Sequence, residues 1–158
     1  MTFKPDVTVA AVVERDGRFL LVEEHIGSHL VLNQPAGHLE DGENLVAAVI
    51  RETLEESAWH FAPSALIGIY LWKQPESGRS FLRVAVCGSV THHEPQRRLD
   101  HGIERTLWLP RDQIVAKSAR LRSPMVLRCI DDYLGGARHS LEVLQHLSLE
   151  NAAVAVSG

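Results

Sequence analysis

Four glutamates and an arginine crowd one short stretch of the chain. Glu43 is followed by Arg51, Glu52, Glu55 and Glu56 inside the segment GHLEDGENLVAAVIRETLEESAW, Gly37 to Trp59. On a helix at about 100° per residue, Glu52, Glu55 and Glu56 fall within an arc of about 100°. Three carboxylates then share one face. Two carboxylates ~6 Å apart repel by roughly 1 kcal/mol in water, and by a few kcal/mol in a partly buried site. Arg51 can offset one of them but not three. The acids also come late in the helix, where the helix dipole disfavours negative charge. A solvated acidic face is the alternative; a bound cation accounts better for the position. Clustered oxygen ligands, with no Cys or His at ligand spacing, select a hard divalent ion: Mg²⁺, with Mn²⁺ as the alternative.

Such acids need a helix to carry them and a sheet to hold the helix. Val46, Ile50 and Leu54 line a face away from the acids and are expected in the core. Asp41-Gly42 is the expected cap region. Before the helix, Val7–Glu14 and Arg18–Glu24 read as strands joined by an Asp16-Gly17 hairpin turn, with His29–Leu32 a further short apolar run. Gln34-Pro35-Ala36-Gly37 breaks the pattern. After the helix, Ala65–Lys73 and Ser80–Val90 read as antiparallel partners around a Pro75–Gly78 turn. Thr91–Gly102 reads as an exposed polar loop, and Arg105–Leu109 as a short strand. Pro110–Val115 reads as a brief helix and Pro124–Leu134 as a longer one, stopped by Gly135-Gly136. Leu141–Leu149 has helical character. The order of elements implies an α/β fold with a mixed sheet between helices.

With 158 residues, the chain is long enough for one domain with a real core. We expect that domain over residues 1–147, with 148–158 a flexible tail. A net charge of -4 argues against a general nucleic-acid binder. No apolar run reaches membrane-span length, and no basic leader precedes an apolar stretch at the N-terminus. Cys87 and Cys129 sit far apart among apolar residues, as buried free thiols would. A cytoplasmic protein, with no membrane partner, is the expectation. A monomer is expected, with a dimer as the alternative. The nine histidines include one pair at His-x-x-x-His spacing, His25 and His29, but no His-Glu-x-x-His, which disfavours zinc. The chain also lacks a Gly-x-Ser-x-Gly elbow, a Walker-type loop and a Gly-x-Gly-x-x-Gly turn.

Outside the acidic helix, Arg83 lies in a strand pattern between Leu82 and Val84. An inward Arg there needs a partner, and a phosphate is one, with edge exposure the alternative. Trp72 and Phe81 lie on the two arms of a hairpin and could stack on a flat ring or simply pack. Arg122 could reach a phosphate or remain a surface cation.

The Gly37–Trp59 segment resembles the Nudix box: Gly, five residues, Glu, seven residues, then Arg-Glu-aliphatic-x-Glu-Glu-x-Gly-aliphatic. Gly37, Glu43, Arg51, Glu52, Glu55 and Glu56 stand in register. Thr53, Ala58 and Trp59 depart from the pattern, none at a charged position. Ala58 stands where the family ends its helix on Gly, and an αL residue other than Gly costs about 1 kcal/mol or more. The resemblance implies the Nudix α/β/α sandwich, and metal ligation by Glu52, Glu55, Glu56 and the main-chain carbonyl of Gly37. It makes Glu43 and Arg51 structural partners. It also makes an acid from the later loop a ligand or base, for which Glu104 is the candidate and Asp100 the competitor.

Further patches, FKPDVTVA, NQPAGHLE, FLR and LRSP, resemble one bacterial subgroup of the family, the NudJ phosphatases. The similarity runs from about Phe3 to about Leu144. It implies a Mg²⁺-dependent phosphatase acting on nucleoside tri- and diphosphates and on hydroxymethylpyrimidine pyrophosphate, releasing inorganic phosphate. Glu52 serves the metal, and Glu55 or Glu104 takes the proton of the attacking water. Two alternatives remain open at this point: hydrolysis of another nucleoside diphosphate derivative, such as ADP-ribose or an oxidised nucleotide, and a non-catalytic nucleotide-sensing module. The partner in every case is a small phosphate or nucleotide.

Overall fold

The computed structural model describes residues 1–148. In chain order they form β1 (Asp6–Arg15), β2 (Arg18–Ile26), β3 (His29–Asn33), β4 (Ala36–His38), α1 (Leu45–Ser57), β5 (Trp59–Lys73), β6 (Ser80–His93), β7 (Ile103–Leu109), α2 (Arg111–Ala116) and α3 (Met125–Leu134), with two 3₁₀ turns at Ser118–Arg120 and Leu141–Val143.

β1 is almost continuously apolar because helices cover both of its faces, and successive side chains point to opposite sides of a strand. Val9, Ala11 and Val13 join Ala48 and Val49 of α1 and Val84 and Val86 of β6 in one core. Val12 joins Ile114 of α2 and Val126, Cys129 and Ile130 of α3 in the other. The result is an α/β/α sandwich around a mixed sheet. β1 pairs in parallel with β6 and antiparallel with β2 and β4; β5 lies at the edge beyond β6. Cys87 and Cys129 are buried free thiols.

One detail of the sheet makes the site. On one side β1 keeps a single partner, from Asp6↔Phe81 to Val13↔Gly88. On the other side it pairs first with β4, through Thr8–Ala10, and then with β2, through Glu14 and Arg15. The sheet splits at that change of partner, and a cleft opens between β4 and the β2–β3 hairpin.

Helix α1 presents a different face to the sheet from the one its larger apolar residues suggest. Ala48, Val49 and Thr53 are fully buried, and Glu52 and Glu56 go in with them; Val46, Ile50 and Leu54 are only partly buried. Short side chains let the helix approach the strands closely, and Thr53 satisfies its hydroxyl by donating to the Val49 carbonyl at 2.7 Å. This rotation carries two acids inward. The cap is Asn44, whose side chain accepts the Ala47 N–H at 2.7 Å, and not Asp41-Gly42. At the other end Ala58 adopts φ 61°, ψ 16°. Ala58→Gly relieves that left-handed strain, so its urea midpoint should rise by the equivalent of about 1 kcal/mol, at unchanged m-value. An unchanged or lower midpoint would mean that the lost methyl burial outweighs the strain.

Three other elements differ from expectation. β5 begins at Trp59 and not at Ala65; its pairing with β6 is irregular at three places, one of them just after Pro63, which an edge strand tolerates. β6 runs to His93, so the first residues of the expected Thr91–Gly102 loop are strand. Of the expected helix from Leu141, one 3₁₀ turn forms, and Leu141 and Leu144 pack on the α1-side core. Residues 149–158, nearly all of the expected flexible tail, lie outside the described residues. Among the described residues no helix is long and apolar enough to cross a membrane.

Candidate active site

The cleft holds a cavity of about 400 Å³. Its walls come from every element that meets at the split: Thr8 of β1, Glu24 and Ile26 of β2, Asn33 of β3, Gly37 and His38 of β4, Glu52 and Glu56 of α1, Trp72 of β5, Phe81 and Arg83 of β6, and Arg122 before α3.

On the α1 side, carboxylate oxygens of Glu52, Glu55 and Asp100 lie within 4.8 Å of one another. Glu52 and Glu56 are 8% and 7% exposed. Burial, with the nearby charges of Glu24, Glu52 and Asp100, pushes Glu56 up to about 9, although its Oε2 accepts the Ala36 N–H at 3.0 Å. Burial also raises Glu52, against the lowering effect of Arg51. Gly37 presses on this cluster so closely that a Cβ would stand 2.2 Å from the Glu52 carboxylate. A side chain there would have to push the Glu52 carboxylate aside, and the Gly37 main chain borders the acids.

Arg51 is the cation of the cluster. It grips Glu43 at 2.6 and 3.0 Å, and also donates to Glu52 at 2.9 Å, Glu55 at 3.1 Å and the His38 carbonyl at 3.1 Å. It touches more acids than the one it can neutralise. With one guanidinium among Glu43, Glu52, Glu55 and, nearby, Glu56 and Asp100, negative charge remains in excess. All-oxygen donors, net negative charge and a closely apposed Cβ-free backbone fit a hard divalent cation. Arg51→Ala leaves these acids unpaired; we expect metal-free stability to fall by about 1–3 kcal/mol. An unchanged melt in EDTA would reduce Arg51 to a solvated side chain.

Glu104 is not in this cluster. The chain turns at Asp100–Ile103, with Gly102 at φ 92°, and β7 then pairs with β2 through an irregularity that matches Glu24 to Ile103 and Glu23 to Arg105. Glu104 is skipped in that register. Its carboxylate, with a side chain 55% exposed, pairs instead with His25 at 2.9 Å. Asp100 takes the place expected of it, tied to α1 by its N–H donating to the Glu55 carbonyl at 3.0 Å. The acid two residues before a turn glycine was the available signal.

The opposite wall carries Arg83, 3% exposed. Its NH1 donates to Gln34 Oε1 at 2.8 Å and its NH2 to Asn33 Oδ1 at 3.0 Å; Nε has no partner. Trp72 and Phe81 face each other across β5 and β6, stacked with centroids 6.1 Å apart and planes at 25°. Arg122 lies 3.7 Å from Glu24, a loose pair at the mouth. Its neighbour Arg120 is spent elsewhere: with Arg105 it clamps the buried Glu23. Sequence reasoning missed Glu24, Asn33 and Gln34, since amides and a strand acid carry no spacing signature.

Comparison with known proteins agrees with this geometry. A NUDIX domain model matches residues 2–129. The chain belongs to the Nudix family. Within it, NudJ phosphatases of Escherichia coli K12 and Shigella boydii are 39% identical over 142 residues, 90% of this chain and 92% of theirs. A solved Nudix hydrolase from Nitrosomonas europaea is 48% identical, with a TM-score of 0.89, covering 91% of this chain and 98% of its own. A MutT Nudix hydrolase from Burkholderia pseudomallei, 19% identical with a TM-score of 0.67, shares the fold. As a Nudix hydrolase, the protein is an enzyme acting on phosphoric anhydride bonds.

Proposed function

We propose that the enzyme is a Mg²⁺-dependent phosphatase of nucleoside tri- and diphosphates and of hydroxymethylpyrimidine pyrophosphate, releasing inorganic phosphate. The observation that carries this reading is the cavity itself, which brings Glu52 and Glu56 of the acidic helix, the buried Arg83 and the stacked Trp72–Phe81 pair onto one lining. The similarity to NudJ phosphatases supports the substrate class.

Glu52, Glu55 and Glu56, the Gly37 carbonyl and Asp100 would hold the divalent ion. Bound there, such an ion screens phosphate charge and lowers the pKa of water. Glu55, half-buried and beside Asp100, would take the proton of the attacking water. Arg51 keeps Glu55 and Glu52 oriented. The anhydride chain lies toward Arg83, and a flat pyrimidine reaches the edge of the Trp72–Phe81 pair. Arg122 meets outlying phosphate charge at the mouth. Residues 1–147 would form the catalytic domain, and the enzyme would act as a cytoplasmic monomer. The complete set of box acids speaks against a non-catalytic sensing module.

A phosphate-release screen over nucleoside di- and triphosphates and hydroxymethylpyrimidine pyrophosphate, with Mg²⁺, with Mn²⁺ and with EDTA, tests the proposal. Inorganic phosphate should appear only with metal. Release of pyrophosphate and a monophosphate from triphosphates would instead favour hydrolysis at an inner linkage, and would remove the phosphatase reading.

A further inference from the structure

The active-site cavity continues into a second hollow. A trough of about 730 Å³ adjoins it and shares Ile26, Trp72, Arg122 and Ser123 with its lining. Both volumes fall within the range of about 300–1,000 Å³ that is ordinary for small-molecule sites. The two hollows differ in chemistry. Four acids line the first, Glu24, Glu40, Glu52 and Glu56, together with the buried Arg83. In the lining of the second, Glu76 is the one acid, exposed on the turn between β5 and β6, and Arg122 is the one arginine. The trough therefore offers neither clustered carboxylates for a metal ion nor a buried cation for a phosphate. Its lining is mainly apolar. Val31, Leu121, Leu127 and Trp72 are each only partly covered, and His29, Gln74 and Ser118 add polar groups among them. Such a mixture suits an uncharged, flat ring with polar edges.

The trough is framed by fixed backbone. The segment after the Ser118–Arg120 turn is stitched to β3: Leu121 bridges Leu32, and the Arg122 N–H donates to the Leu32 carbonyl at 2.8 Å. Arg120, clamped on Glu23, fastens the same segment to β2. The β5–β6 turn is closed by the Gln74 N–H donating to the Arg79 carbonyl at 2.8 Å and the Gly78 N–H donating to the Gln74 carbonyl at 2.9 Å. A preformed hollow of this kind costs a ligand little ordering on binding.

We propose that this trough is a nucleoside subsite: the sugar and base of a nucleotide substrate occupy it, while the phosphates lie in the first cavity and the chain passes Arg122 between the two. The proposal rests on the reading of the first cavity as a phosphate-anhydride site, and adds a division among substrates. Hydroxymethylpyrimidine pyrophosphate carries one small ring close to its phosphates and ends at Trp72, inside the first cavity. A nucleotide places a sugar between phosphate and base, so its base reaches past Trp72 into the trough. Val31, Leu121 and Leu127 are then specificity-determining for nucleotides alone. Continuity with the first cavity and the shared Arg122 favour this occupant over a protein partner.

The test compares three diphosphates in Mg²⁺: ADP, hydroxymethylpyrimidine pyrophosphate and inorganic pyrophosphate, which has no organic group. The proteins are the parent chain, Ser118→Trp, which fills the trough from an exposed position, and Val31→Ser, which removes apolar contact. Ser118→Trp should raise KM for ADP by about tenfold or more, with kcat little changed, and Val31→Ser should raise it by about threefold. KM for the other two substrates should stay within about twofold, which also shows that the variants are folded. A second measurement needs no turnover. Adenosine titrated in EDTA should shift the NMR methyl signals of Val31, Leu121 and Leu127 in the parent chain, and Ser118→Trp should abolish those shifts. Equal effects on all three substrates, an unchanged KM for ADP, or methyl signals indifferent to adenosine would each overturn the subsite. So would methyl signals that move with protein concentration and not with adenosine, which would mean that a second copy of the chain covers the trough. Adenosine-dependent shifts in a protein that hydrolyses none of the three diphosphates would sink the hydrolase reading and leave the subsite standing. Turnover of ADP with the variants and the methyls indifferent would do the reverse.

Discussion

Glu56→Gln should cut turnover by about a hundredfold or more while the protein stays folded. Glu56 sits at the inner end of the acid face, 7% exposed, and its Oε2 accepts the Ala36 N–H. A glutamine carbonyl accepts the same hydrogen bond in the same volume, so the local structure survives. What disappears is a full negative charge in the wall that is proposed to hold a divalent ion. In the metal-free protein, burial keeps the Glu56 carboxyl largely protonated at neutral pH, with its pKa pushed up to about 9. A neutral amide is then a close replacement, and the metal-free melting temperature should be unchanged or higher. Steady-state kinetics at saturating Mg²⁺ and a melt in EDTA check the two halves. Near-parental turnover would remove Glu56 from the metal site.

Metal-free stability should fall as pH rises from about 4.5 toward 9, by several kcal/mol in total. The sign follows from Glu56. Its pKa is raised in the folded state, so the folded chain binds a proton that the unfolded chain releases through that window. The stability contributed by that proton is complete below the unfolded value and is lost on approach to 9. Glu24 and Glu52, also raised by burial, act in the same direction. On the acid side the sign reverses. Glu23 is held below the ordinary carboxylate range because its contacts with Arg105 and Arg120 outweigh the effect of its burial, and Arg51 holds Glu43 low in the same way. Their stabilisation is lost as pH drops through those lowered values. Urea titrations in EDTA from pH 4 to 9 should therefore decline on the alkaline side, and Glu56→Gln should flatten that decline. Divalent cation should flatten it too, with proton release near neutral pH visible as a buffer-dependent binding enthalpy. A parental slope unaffected by the substitution would place the titrating group elsewhere.

Much of this enzyme was readable along the chain. The register of Arg51, Glu52, Glu55 and Glu56 is local, because a helix converts spacing directly into a shared face. The strands of the sandwich were readable too, since β1 and β6 must be apolar on both sides to lie between two helical layers. Bulkier residues misled. Val46, Ile50 and Leu54 looked like the core face of α1, and Ile50 does pack against the core, but the fully buried face is Ala48, Val49 and Thr53, because closeness to a sheet favours small side chains over large ones. Which later acid joins the site was a tertiary matter. Asp100 and Glu104 are four residues apart in similar company, and only the skipped register between β7 and β2 sends one to α1 and the other to His25.

The far wall of the cavity belongs wholly to the tertiary structure. Arg83, Asn33, Gln34 and Glu24 come from three strands and the connection that follows one of them, and meet only because β1 exchanges β4 for β2 partway along. No spacing rule links Gln34 to Arg83, 49 residues away. The environment of a buried charge is set by which strands lie side by side. A single sequence specifies that through the summed burial of its apolar faces and not through any motif.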